Sequence, residues 1–232
     1  MDWLLAPVDA ARAHEVGLAV AWHGRSMVLA WGLLAPLAVL IARYFKVMPG
    51  QDWPRELDNQ TWWRSHWLGQ SVVVLLTVIG ISLVFGGGGD WNLHARLGYA
   101  VLVLALAQVG FGLFRGTKGG PGEVDIHGDH YDMTLWRVMF EWVHKLTGYA
   151  LLVIAMFTVA LGMWHANAPV WMWLSLSLWW LALAIAAIRL QRRGYAIDTY
   201  QAIWGPGSEH PGNRRKPIGW GIRRPSGPQP GE

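Results

Sequence analysis

The chain has 232 residues, 53% of them hydrophobic and only 15% charged, with 17 tryptophans and no cysteine. That balance excludes an ordinary soluble domain and points to an integral membrane protein. The missing thiols exclude disulfides, iron–sulfur clusters and any cysteine-based cofactor attachment, and the net charge of +4 is explained by loop asymmetry, so no nucleic-acid partner is expected.

Residues 1–15 read as a short lead-in. The first apolar run, 17–45, is too long for a signal peptide, lacks a basic region before it and carries His23, so it is taken as a true span in which Pro36 should produce a kink. The second run, 66–89, opens on His66, and GGGGDWN at 86–92 is expected to turn tightly into the third run, 93–114, which opens on His94. After an inner loop rich in glycine and acidic residues, the fourth run, 139–164, carries His144, and the fifth covers 169–188. Each run is near the roughly 20 residues that an α-helix needs to cross the hydrocarbon, where lipid offers the backbone no partners. The tail from Gly205 is rich in glycine, proline and arginine and is expected to be extended, ordered only against a partner or the membrane surface.

Orientation follows from the positive-inside rule. Arg43, Lys46, Arg55 and Arg64 lie between spans one and two, Arg115, Lys118 and Arg137 between three and four, and eight further bases follow span five, whereas the loops at 86–92 and 165–169 have none. The N-terminus is therefore expected outside and the C-terminus in the cytoplasm. Tryptophans 53, 62, 63 and 67 on the inner side, and 91, 164, 171 and 173 on the outer, fit two interfacial belts.

The chemistry lies in the four histidines. A ring nitrogen buried in lipid is costly, so four at matched depths in four spans indicate a metal or cofactor that offsets the cost. With helices alternating in direction, His23 and His94 share the outer side and His66 and His144 the inner side, an arrangement suited to two hemes in series, with irons about 20 Å apart. Gly69, Gly98 and Gly148 follow their histidines by one helical turn and Gly24 adjoins His23, leaving room for a flat ring. Arg25, Arg64, Arg96 and Lys145 stand beside the histidines as propionate partners, although bases also snorkel at span ends without any such role. A heme with two imidazole ligands has no open site, so it passes single electrons, and no catalytic residue is nominated. In DIHGDHYDM (125–133), His127 and His130 among aspartates suggest a metal or docking loop, or else a solvated one. Gln70 and Gln108 are polar within apolar spans, and His14, His165 and His210 read as surface residues.

The segments AWHGRSMVLAWGLLAPLAVLIARYFK (21–46), HWLGQ (66–70), NLHARLGYAVLVLALAQ (92–108) and FEWVHKLTGY (140–149) resemble the cytochrome b561 family of transmembrane diheme electron carriers, of a bacterial type. The resemblance implies two b-type hemes, ligated by His23 with His94 and by His66 with His144. It also implies an electron relay between the membrane faces, a transmembrane oxidoreductase. Members that oxidise ascorbate use basic residues on the cytoplasmic face, and Arg43, Lys46, Arg115 and Lys118 are similarly placed as substrate contacts.

The expected architecture is all-α: five transmembrane helices with a four-helix bundle core binding heme, N-terminus out, C-terminus in. It divides into a lead-in (1–15), a transmembrane domain (16–194) and a basic cytoplasmic tail (195–232), set in a bacterial inner membrane. Expected partners are membrane lipid, a small donor or acceptor such as a quinone or ascorbate-like molecule, a redox partner protein and a second copy of the chain. Two other readings stand beside this one: a heme-bearing anchor linking a dehydrogenase to the quinone pool, and a non-redox metal or proton transporter or scaffold.

Overall fold

The computed structural model describes residues 2–87, 91–207 and 210–225. Among them, five helices are long and apolar enough to cross a membrane: span one Leu18–Tyr44, span two Thr61–Val84, span three Leu93–Leu113, span four Leu135–His165 and span five Val170–Arg192. The all-α, five-span architecture is as expected. Spans two and four begin several residues earlier than the apolar pattern does, because the preceding segments, each carrying Trp and Arg, continue the helix. The core of the turn expected at 86–92, residues 88–90, lies outside the described residues.

The chain divides into two compact units. The first comprises Met1–Val39, Trp67–Leu106 and Tyr149–Ala186. Its core is built from Ala30, Trp31, Ala35, Val73, Val101, Ala155 and Leu176, with apolar side chains on the other faces left exposed, as lipid-facing residues must be. One polar tie crosses this core: Trp31 Nε1 donates to Thr77 Oγ1 at 3.0 Å, and Thr77 in turn donates to the Val73 carbonyl of its own helix at 2.7 Å.

Span one departs from the simple kink. Residues Val28–Leu34 form a π-helical turn, and Pro36 lies just beyond it in the α-helix Ala35–Tyr44. Proline has no N–H, so the Gly32 carbonyl loses its ordinary α-helical donor four residues on. The indole of Trp180 in span five supplies one instead, at 2.9 Å. Gly32 lets span five come this close, since a Cβ there would sit 3.1 Å from Leu176 Cδ1.

The lead-in is tied down as well. Buried Asn167, in a left-handed conformation (φ 47°) after span four, donates through Nδ2 to the carbonyls of Asp9 and Arg12, both at 2.9 Å. Its Oδ1 accepts from the Asp9 N–H at 3.0 Å. This leaves the segment before span one and the turn after span four on one end of the unit, as alternating helices require.

The second unit comprises Leu40–His66, Ala107–Gly148 and Ala187–Glu232. A small core of Met133, Tyr200 and Ile218, flanked by Val138 and Trp204, joins the 115–134 loop to the C-terminal segment. Here the structure differs from the extended tail expected. Thr199–Trp204 is a helix N-capped by Asp198, and residues 210–225 fold back on the chain, Arg223 pairing with Ala196 and Asp198. Asp198 drives this return, because its buried carboxylate is held by the Arg224 guanidinium. His210, expected at the surface, is buried against Trp204 for the same reason.

Candidate functional site

The first unit brings His23 and His94 together, with ring centres 6.1 Å apart and planes at 88°. The second brings His66 and His144 together at 6.3 Å and 84°. Metal–nitrogen bonds of about 2 Å on both sides of one iron, plus about 1 Å from each nitrogen to its ring centre, require about 6 Å. Both pairs meet that spacing.

The ring nitrogens of the first pair are also prepared for ligation. His23 Nδ1 lies 2.8 Å from the Gly80 carbonyl oxygen, and His94 Nδ1 lies 3.0 Å from that of Thr158. A carbonyl can only accept, so each Nδ1 carries the proton and each Nε2 keeps the lone pair a metal needs. In the second pair, the His144 Nδ1 is buried with no hydrogen-bond partner among the described residues, and the His144 ring stacks on Phe140 at 5.3 Å. Gln108 fixes the local backbone, donating to the His144 carbonyl at 3.3 Å and to Thr147 Oγ1.

The expected glycines divide. A Cβ at Gly24 or Gly98 would meet nothing within 4 Å, so these two border open space, whereas at Gly148 it would touch Gln108 at 3.8 Å. Gly69 instead serves helix packing, since a Cβ there would sit 3.0 Å from that of Ala38. Two glycines that the sequence reading passed over matter more: Gly80, whose carbonyl receives His23, and Gly162, where a Cβ would lie 2.8 Å from His94 Cε1. Gly162 stands 18 residues after His144 on the same span, and only its smallness within an apolar run could have marked it.

The basic residues divide too. Arg25, Arg64 and Arg96 are exposed and make local contacts: Arg25 over the Trp22 ring, Arg64 with Gln60 and Arg96 with the Trp91 carbonyl. Lys145 is part of a network. It binds Glu141 at 2.7 Å, and Glu141, 4% exposed, also receives Arg137 at 3.2 Å and the Tyr200 hydroxyl at 3.2 Å. Arg43 donates to the Trp220 carbonyl at 2.7 Å and Lys46 to that of Ile197 at 2.9 Å. Burial, reinforced by repulsion from Lys145, brings Lys46 down to about 7. Arg115 stacks over Trp63, and Lys118 is committed to Asp58 at 2.7 Å.

The 125–133 loop is bound within itself. His127 pairs with Asp132 at 3.3 Å, and Asp129 is held in its charged form by hydrogen bonds from Thr134 and the Thr117 N–H. His130 is buried between Tyr200 and Trp204, and desolvation keeps it neutral well below the usual histidine range. No group of three or more potential metal ligands of the His, Cys, Asp or Glu type occurs among the described residues.

The profile of the eukaryotic cytochrome b561 family matches residues 22–168, which contain all four histidines. The chain belongs to the cytochrome b561 family. Membership brings heme b as the cofactor class and transmembrane electron transfer as the activity class of the family. The profile is the eukaryotic one, which replaces the bacterial type expected from the sequence.

Similar proteins include ferric-chelate reductase 1 of Bos taurus, 33% identical over 61% of this chain and 22% of its own length. Its Homo sapiens counterpart is 29% identical over 68% of this chain and 24% of its length. A cytochrome b561 and DOMON domain-containing protein of Arabidopsis thaliana is 25% identical over 61% of this chain and 31% of its length. The chain thus spans roughly a quarter of the length of these relatives. No solved structure gives a significant match.

Proposed function

We propose that this protein carries electrons across the membrane through two b-type hemes, one ligated by His23 and His94 and the other by His66 and His144. The observation that carries this reading is the recurrence, in both compact units, of two imidazoles from different helices with centres just over 6 Å apart. When bound, each heme would supply one reversible electron at an iron with no open coordination site. The protein's own part is to hold imidazole lone pairs inward, through the Gly80 and Thr158 carbonyls in the first pair, and to exclude water with the surrounding apolar side chains. Lys145 and Arg137, gathered on Glu141, leave net positive charge beside the second pair, which favours its reduced form.

The distribution of bases supports an outward N-terminus and cytoplasmic tail, with the second pair on the inner side. On this reading a small anionic reductant of the ascorbate kind delivers electrons near Arg43 and Lys46, with Arg115 and Lys118 at the same face. The relatives' names suggest a ferric chelate as the acceptor. Arg25, Arg64 and Arg96 reach any propionates only by turning away from the contacts they now make.

A second reading concerns the exchange partner. Ala107, Phe111, Phe114, Trp136, Met139 and Phe140 line an apolar cleft of about 440 Å³ between spans three and four. Phe140 links that cleft to the His144 ring. A quinone in the cleft would make the protein a membrane anchor for a dehydrogenase.

The test is a reduced-minus-oxidised spectrum and heme-to-protein ratio of the purified protein. About two low-spin hemes per chain are expected, with His66→Ala or His144→Ala losing one and leaving the other spectrally intact. Reduction of vesicle-embedded protein by ascorbate or by a quinol then separates the two partners. A preparation with no heme overturns the proposal.

A further inference from the structure

Span five ends on three arginines that the fold leaves unpaired. Arg189, Arg192 and Arg193 are exposed, and among the described residues no hydrogen bond, ion pair or ring contact engages their side chains. The helical winding carries on through them, since the Arg193 N–H still donates to the Arg189 carbonyl at 3.0 Å. Residues three and four apart share a face of a helix, so the three guanidiniums stand together within about one turn.

The helix is two-sided at this point. Gln191 faces the protein, accepting from Arg43 at 3.0 Å and donating to the Gly221 carbonyl at 2.7 Å. The arginines face the other way. On their side Leu181, Ile185 and Ile188, which are 55%, 40% and 52% exposed, run back along the span. An exposed aliphatic row on a membrane-spanning helix lies against acyl chains, which places the cluster at its end among the lipid headgroups.

Snorkelling brings single bases to span ends, and the negative end of a helix attracts them. Neither supplies a counter-charge for three cations one turn apart, which repel one another. The chain does not supply one either: Asp198, the one acid among the described residues that follow the span, is buried and bound to Arg224.

We propose that Arg189, Arg192 and Arg193 form a binding site for the headgroup of an anionic phospholipid, whose acyl chains lie along Leu181, Ile185 and Ile188. A phosphodiester offers two charged oxygens that a guanidinium fork takes as a bidentate pair. A zwitterionic headgroup carries the same phosphate, but its own ammonium competes for it, so the site selects lipids of net negative charge. In the orientation proposed above, the site opens to the cytoplasmic leaflet, where anionic lipids are held. It stands on the membrane-spanning fold and needs no heme.

The test is native mass spectrometry of the full chain released from phosphatidylcholine nanodiscs that contain phosphatidylglycerol as the minor lipid. Retained lipid is expected to be severalfold enriched in phosphatidylglycerol relative to the bilayer. The combined variant Arg189→Gln, Arg192→Gln, Arg193→Gln should lose most of that enrichment. Arg215→Gln with Lys216→Gln, which removes exposed bases elsewhere in the same unit, should keep it. Inorganic phosphate in solution should not displace the lipid, because it has no chains to lie on the aliphatic row. The site is overturned if the unaltered protein shows no enrichment, if the triple variant keeps it, if both variants lose it equally, or if phosphate displaces the lipid fully. A second measurement leaves the arginines intact and so serves even where the triple variant fails to fold. A nitroxide on Ile188→Cys, in a chain with no other thiol, should broaden the phosphorus resonance of phosphatidylglycerol more than that of phosphatidylcholine. Equal broadening overturns the proposal.

Discussion

His94 Nδ1 lies 3.0 Å from the Thr158 carbonyl oxygen, and the same ring packs against Gly162 one turn further along span four. One helix therefore fixes both the tautomer and the position of a histidine on another. Gly162→Leu would drive a side chain into the imidazole. It should cost about 1–3 kcal/mol as overpacking and reduce heme content from two equivalents toward one, with the spectrum of the His66/His144 site retained. Unchanged heme content on extraction and pyridine hemochrome assay would show that the ring has room to move.

Thr77→Val keeps the shape of the first unit's core but removes the acceptor of the Trp31 indole, where both residues are almost fully buried. An unpaired buried donor costs about 1–3 kcal/mol. A lower Tm in detergent with the heme ratio intact is the expected result.

Glu141 gathers Arg137, Lys145 and the Tyr200 hydroxyl inside the second unit. Glu141→Gln leaves two cations without their counter-charge, a change worth about 3–5 kcal/mol when such a pair is buried. Heme loss confined to the His66/His144 site is expected, read from the difference spectrum beside the His66→Ala variant. Equal loss at both sites would indicate a general folding defect.

Lys46 titrates near 7 in the folded protein against an ordinary 10.5, chiefly through burial. The unfolded chain then binds more protons across that window, so stability rises as pH climbs from about 7 to 10.5 and the penalty is fully present below it. Lys46→Met should flatten the rise, as measured by thermal unfolding at stepped pH. Repulsion from Lys145 and Arg43, and attraction to Glu141 and Asp198, modulate the window without reversing it.

The spans were legible in the sequence because lipid demands uninterrupted apolar helices, and the histidine partners followed from alternating direction alone. The supporting carbonyls were not legible. Gly80 and Thr158 act through the main chain, and nothing in a side-chain pattern marks which carbonyl faces a ring. Arg25, Arg64 and Arg96 look equivalent to Lys145 in the sequence, yet only Lys145 has a buried carboxylate one turn away to draw it inward. The folded tail was hidden for a similar reason: its glycine- and proline-rich composition suggests an open chain, while a single buried aspartate supplies the point about which it closes.

The wide turn at Val28–Leu34 sets the phase of span one. Such a turn amounts to one residue inserted into an α-helix, and each residue advances the helix by about 100°. Deleting a single amino acid between Val28 and Leu34 would restore regular winding and swivel everything before it, carrying His23 off the bearing on which it meets His94 while leaving both residues in the gene. The breadth of that turn is thus an alignment device, and a one-codon deletion there should blind one metal position as effectively as replacing the histidine.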